Sequence, residues 1–250
     1  MMLLDADLLA FVAVGFVAQL IDGALGMAFG VISSTLLLSL GIAPAAASAG
    51  VHTVESFTTA ASAISHIAHK NVDWRMFGRL VVPGIIGGVL GAYVLANIAA
   101  DTARPFVLAY LTLIGVYLLW RGIMYPPLER KPRLVEVLGF VGGFLDAAGG
   151  GGWGPVVTSN LLVQGASPRT TIGTVSTVEF FLTVTISATF IAALGLEAFT
   201  VATLGLLLGG VAAAPLGAFV AARVPAKPLL ISVGLILTMT SAVGICSAIL

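Results

Sequence analysis

Two glutamates, Glu55 and Glu179, sit near the middle of long apolar runs. An ionisable side chain at that depth is costly and is either functional or internally paired. His52 precedes Glu55 by one turn, a spacing that puts both on one helix face, while Ser176 and Thr177 flank the equivalent turn before Glu179. A carboxyl and a neutral imidazole side by side can share a proton, so proton coupling is chemically available. The competing reading is that each glutamate caps exposed backbone amides as a purely structural bond, and both readings put the glutamates near a cavity. Two glycine clusters offer a second kind of chemistry: Asp22-Gly23-Ala24-Leu25-Gly26-Met27-Ala28-Phe29-Gly30 and Asp146-Ala147-Ala148-Gly149-Gly150-Gly151-Gly152-Trp153-Gly154. Glycine lets bare backbone N–H groups approach a ligand, and a half-helix starting after the break points its positive end at the same spot. Such a site holds an anion without a buried cation.

The candidate anion contacts are Gly26, Gly30, Gly150, Gly151, Gly152 and Trp153, with the hydroxyls of Ser33, Ser34, Thr158, Ser176 and Thr177. The same glycines would equally suit close packing of short helices. Asp22 and Asp146, each just ahead of a half-helix, read either as N-caps or as substrate or proton groups. Arg169 follows Pro168 at a helix start and is either an entrance cation or an ordinary interfacial anchor. His66 and His69 lie beside Lys70 at a helix end and take no site role. No metal-ligand spacing, GxSxG, P-loop or HExxH pattern occurs, so neither a metal, a cofactor nor an enzymatic activity is expected.

The elements that must position these residues are membrane helices. The chain is 59% hydrophobic and 9% charged with a mean hydropathy of +1.12, and a soluble fold of 250 residues could not cover that apolar surface. Zero formal net charge leaves no basic field for nucleic acid. The single cysteine, Cys246, rules out a disulfide within the chain. The acidic start, with Asp5 and Asp7, lacks the cationic region of a secretory signal, so the N-terminus reads as retained.

Apolar runs predict six spans, near 45–68, 77–97, 104–123, 168–194, 199–221 and 227–249. Two further runs, 8–40 and 135–164, are broken midway by the glycine clusters, leaving arms of about 15 residues that are too short to cross comfortably. Residues 15–55 match 139–179 at one fixed offset, with roughly 15 of about 41 positions identical, including Asp22/Asp146, Gly26/Gly150, Gly30/Gly154, Pro44/Pro168 and Glu55/Glu179. The expected fold is therefore an all-α polytopic membrane protein of two repeats, residues 1–124 and 135–250. A cytoplasmic linker, 125–134, joins them.

Cationic residues collect in cytoplasmic loops. If each broken run enters and leaves on one face, Lys70, Arg75, Arg79, Arg121, Arg130, Lys131, Arg133, Arg169, Arg223 and Lys227 share one side and only Arg104 lies opposite. Single crossings would scatter them. The hairpin arrangement puts both termini outside and gives each half an odd number of crossings, hence opposite orientations. That is the inverted repeat of many secondary transporters, where broken segments meet near the midplane and form the substrate site.

With Asp22 to Gly30, Ala47-Ser48-Ala49-Gly50-Val51-His52-Thr53-Val54-Glu55, Ser65-His66 and Asn71-Val72-Asp73-Trp74 in view, the sequence resembles the TauE/SafE family of membrane transporters. The second half agrees through Gly143-Phe144-Leu145-Asp146, Gly154-Pro155, Pro168-Arg169-Thr170-Thr171-Ile172-Gly173 and Glu179-Phe180-Phe181. The resemblance implies export of sulfite or a related organosulfur anion across a bacterial inner membrane, driven by an ion gradient such as that of protons. A passive anion channel of the same fold is the alternative expectation.

Overall fold

The computed structural model of the chain describes residues 2–25, 27–124, 132–164, 166–196, 200–221 and 226–249. Among them there is no strand. The order is α1 (Met2–Leu25), α2 (Phe29–Ser39), α3 (Pro44–Ala68), α4 (Trp74–Asn97), α5 (Ala100–Ile123), α6 (Val135–Gly149), a π-helical turn (Trp153–Thr158), α7 (Ser159–Val163), α8 (Pro168–Leu194), α9 (Val201–Ala221) and α10 (Ala226–Ile249). Helix prevails because a backbone surrounded by hydrocarbon must satisfy its own N–H and C=O groups within the segment. Local chemistry fixes the ends. Pro44 and Pro168 open α3 and α8, where a missing amide costs nothing, and the Asp73 carboxylate accepts the amides of Arg75 at 2.9 Å and Met76 at 3.1 Å to open α4.

The six expected spans coincide with α3, α4, α5, α8, α9 and α10. Of these, α4, α5 and the Thr170–Leu194 part of α8 are long and apolar enough to cross a membrane. In α9 and α10 the apolar stretches run over Val201–Ala214 and Gly234–Val243. α3 is diluted by its own buried polar face, Ser48, His52, Glu55, Thr58 and Thr59. Large apolar side chains such as Phe106, Leu113, Met239 and Val243 point outward, as lipid-facing residues do.

The broken runs differ in detail from the two short arms expected. α1 has 24 residues, because nothing in Met2–Asp7 stops the helix, although its apolar part is only Leu8–Asp22. α6 has the expected 15, and its return begins as a π-helical turn around Pro155, which supplies no amide to a regular ladder. The Arg133 amide donates to Gln164 Oε1 at 2.6 Å, so this second arm ends beside its own start. Most of the expected linker, 125–131, lies outside the described residues, as do Gly26 and Gly165.

Helices pack in four main pairs, α1 on α9, α6 on α4, α3 on α8 and α5 on α10. Glycine makes the closest approaches. Gly87 and Gly91 of α4 bear directly on the backbone of Phe140 and Phe144 in α6, and Gly209 of α9 bears on that of Val12 and Phe16 in α1. A side chain at Gly91 would strike the Phe144 carbonyl. Gly91→Val is therefore expected to cost about 1–3 kcal/mol by overpacking. Thermal unfolding in detergent checks this: the midpoint should fall by about 2–4 °C per kcal/mol while helix content is retained.

Candidate functional site

The two breaks meet backbone to backbone. A Cβ on Gly151 would collide with the carbonyl carbon of Gly30 and the amide of Val31, and one on Gly30 would lie 2.9 Å from both Gly151 Cα and Glu55 Oε1. Gly150 and Gly151 also adopt φ values of 72° and 139°, which L side chains rarely tolerate. Beside this contact lies a small cavity, with room for about one water molecule, whose polar lining is Asp22, Glu55, Asp146 and Glu179 with the backbone of Gly30 and Gly152.

Each break is closed by an aspartate from the helix before it. Asp22 Oδ1 accepts the amides of Ala28 at 2.7 Å and Phe29 at 3.2 Å, and Asp146 Oδ1 accepts that of Trp153, the residue matching Phe29, at 2.8 Å. Both aromatic side chains are fully buried. Trp153 lies over Gly84 and Gly142 and donates Nε1–H to the Val175 carbonyl at 3.2 Å.

Four side chains of the first half hold the second break. The Ser34 hydroxyl donates to the Gly150 carbonyl, Ser48 donates to that of Ala147 at 2.7 Å, and Tyr110 to that of Gly151 at 3.2 Å. His52 Nε2 stands 3.1 Å from Asp146 Oδ2, with both side chains buried. Gly149 and Gly152 leave the room that the Tyr110 ring fills. His52 thus bonds across to α6 rather than to Glu55, because sharing a helix face fixes a direction and not a partner. Glu55, one turn further along, instead takes the Gly30 amide, and its Oε2 has no hydrogen-bond partner.

Of the residues expected at a site, the cavity collects Asp22, Gly30, Glu55, Asp146, Gly152 and Glu179. The Ser34 and Thr177 hydroxyls are spent on the carbonyls of Gly150 and Gly173. Ser33 and Thr158 are buried with unpartnered hydroxyls, but neither lines the cavity. Ser176 is buried outside the lining, and the Arg169 side chain is not among those described. Sequence reasoning missed Ser48 and Tyr110. Ser48 was signalled by its place one turn before His52, and Tyr110 by a phenol deep in apolar α5, where a hydroxyl needs a partner.

Among the described residues no lysine or arginine lines the cavity, and the amides of Ala28, Phe29 and Trp153 are taken by the carboxyl groups of Asp22 and Asp146. Among the described residues no cluster of three His, Cys, Asp or Glu is placed to hold a metal ion.

A family model described as "Sulfite exporter TauE/SafE" matches residues 11–244. The chain belongs to the TauE/SafE family. It is also 46% identical over 223 residues to the "Probable membrane transporter protein YtnM" of Bacillus subtilis (strain 168), covering 85% of this chain and 74% of that relative. No solved structure matches it significantly. With its apolar helices, this makes the chain a membrane transporter of the TauE/SafE type. Family and relative alike are described as transporters rather than enzymes.

Proposed function

We propose that this TauE/SafE protein exports sulfite or a related sulfur oxyanion or organosulfonate across the bacterial inner membrane, coupled to protons, by alternating access. The observation that carries this reading is the direct meeting of two helix breaks, Gly30 against Gly151, at a cavity lined by four carboxyl groups. The substrate anion binds where the half-helix amides converge, a site that the carboxyl groups share. Like charges gathered around one cavity repel strongly away from water, so the anion enters together with protons that neutralise carboxylates. Glu55, Glu179 and His52 handle those protons, and Asp22 and Asp146 cap the half-helix amides until the anion takes them.

Residues 1–124 and 135–250 act as two inverted repeats. The helix pairing supports this: exchanging the halves turns α1 on α9 into α6 on α4, and leaves α3 on α8 and α5 on α10 unchanged. Rocking of one half against the other opens the cavity to each side in turn.

Sulfite flux into proteoliposomes, with and without a pH gradient, tests the function. Saturable flux that responds to the gradient is expected. Lack of flux for every sulfur oxyanion and sulfonate would remove the substrate claim, and unsaturable flux indifferent to the gradient would describe a passive anion channel. Topology has its own check. In a Cys246→Ser background, Asp5→Cys and Ile42→Cys should both react with an impermeant maleimide from outside, and labelling from opposite faces would overturn the hairpin.

A further inference from the structure

The pair His52–Asp146 has a geometry that counts its protons. His52 Nδ1 lies 2.7 Å from the Ser48 carbonyl, which only accepts, and 3.2 Å from the Ser48 hydroxyl, whose hydrogen already goes to the Ala147 carbonyl. Nδ1 therefore carries a hydrogen. Across the ring, Nε2 faces Asp146 Oδ2 at 3.1 Å. One further proton must lie between them, on nitrogen or on oxygen, since otherwise two lone pairs would face each other at hydrogen-bond distance. With it the pair is neutral. Without it the pair is an anion at the wall of the cavity, because Asp146 lines that cavity.

The pair also joins the halves, α3 of the first to the end of α6 in the second, where Asp146 Oδ1 holds the Trp153 amide. The second half has no copy. At the repeat offset His52 corresponds to Ser176, which cannot carry the proton, and Ser48 corresponds to Ile172, which has no polar atom to orient a ring. Around the bridge stand Glu55 one turn along α3, Asp22 from α1, Glu179 from α8 and Tyr110 from α5. α2 and α9 bring no ionisable residue, and Arg75, Arg79 and Tyr93 of α4 lie toward the surface.

We propose that the His52–Asp146 bridge holds one of the coupling protons, and that the second half has no counterpart of it: occupied, it latches the halves and leaves the cavity neutral enough for the anion. Release breaks the N–H or O–H bond within the bridge and passes the proton to water in the opened cavity. The bridge then repels itself apart and expels the anion, and rebinding of a proton restores it. Proton and anion affinities are thereby tied to each other. The proposal rests on the transport reading above.

His52→Gln tests it, because a glutamine amide still donates to Asp146 but exchanges no proton. Wild-type and variant proteoliposomes are compared in two modes: sulfite exchange at equal concentrations on both sides, and net flux driven by a pH gradient. Driven flux should fall at least about ten-fold more than exchange, the size of a typical coupling between sites, and the residual flux should lose its pH profile. Equal losses in both modes, or a wild-type pH profile, would make the bridge a structural tie and overturn the proposal. If wild-type protein exchanges no sulfur oxyanion or sulfonate, the substrate reading falls, and the bridge is judged by ¹⁵N NMR of His52 in nanodiscs. Its Nε2 signal should change across a pH series and respond to Asp146→Asn; a signal indifferent to both refutes the proton site.

Discussion

Gly151→Ala should abolish transport while leaving a folded protein. The substitution adds a single methyl group, but at a φ of 139° and against the backbone of Gly30 and Val31. No flexible side chain is there to yield, so the breaks must separate. A displacement of about 1 Å in a positioned site costs on the order of 100-fold in rate, and flux in proteoliposomes should fall at least that far. Unusual backbone geometry alone is worth about 1–3 kcal/mol, which confounds the reading unless it is controlled. Gly41→Ala supplies the control: φ there is 89°, and nothing lies within 4 Å of the added carbon. It should lower the thermal midpoint and spare most of the flux. Equal loss of flux in both variants would mean that strain, and not the meeting of the breaks, is what matters.

The same comparison shows how far the residues alone could lead. Helices were legible because each run of apolar residues must close its own hydrogen bonds, and Pro44, Pro168 and Asp73 mark their starts without tertiary help. The interruptions were legible because clustered glycine is poor helix in any surroundings, although the helices run on past Asp22 and Asp146 to Leu25 and Gly149. Partners were not. Spacing placed His52 and Glu55 on one face of α3, yet which neighbour meets that face depends on how α6 docks, and the sequence holds no record of that. Hydroxyls misled for two reasons: Ser34 looks available until docking brings the Gly150 carbonyl within reach, whereas Thr177 bonds back to the Gly173 carbonyl one turn earlier in its own helix. The length of α1 went astray because apolarity was used to measure a helix that continues into polar residues.

Glu55→Gln should be the most damaging substitution that leaves the packing intact. Glu55 is almost fully buried, one carboxyl oxygen is engaged by the Gly30 amide, and the other has no partner. Glutamine matches its shape, can still accept from Gly30, and presents an NH₂ group where the free oxygen stood. Asp22, Asp146 and Glu179 line the same cavity and can accept from it, so folding should change by no more than about 1 kcal/mol. Transport should suffer far more, because the amide can neither carry charge nor exchange a proton at the place where the breaks converge. A fall on the order of 100-fold is expected, at the upper end of site-to-site coupling. The loss should extend to sulfite exchange as well as to gradient-driven flux, since in the proposed mechanism Glu55 faces the anion itself. That separates it from His52, whose replacement strikes mainly the driven mode. Exchange and driven flux close to wild type in Glu55→Gln would show that the cavity between the breaks is not where the anion binds.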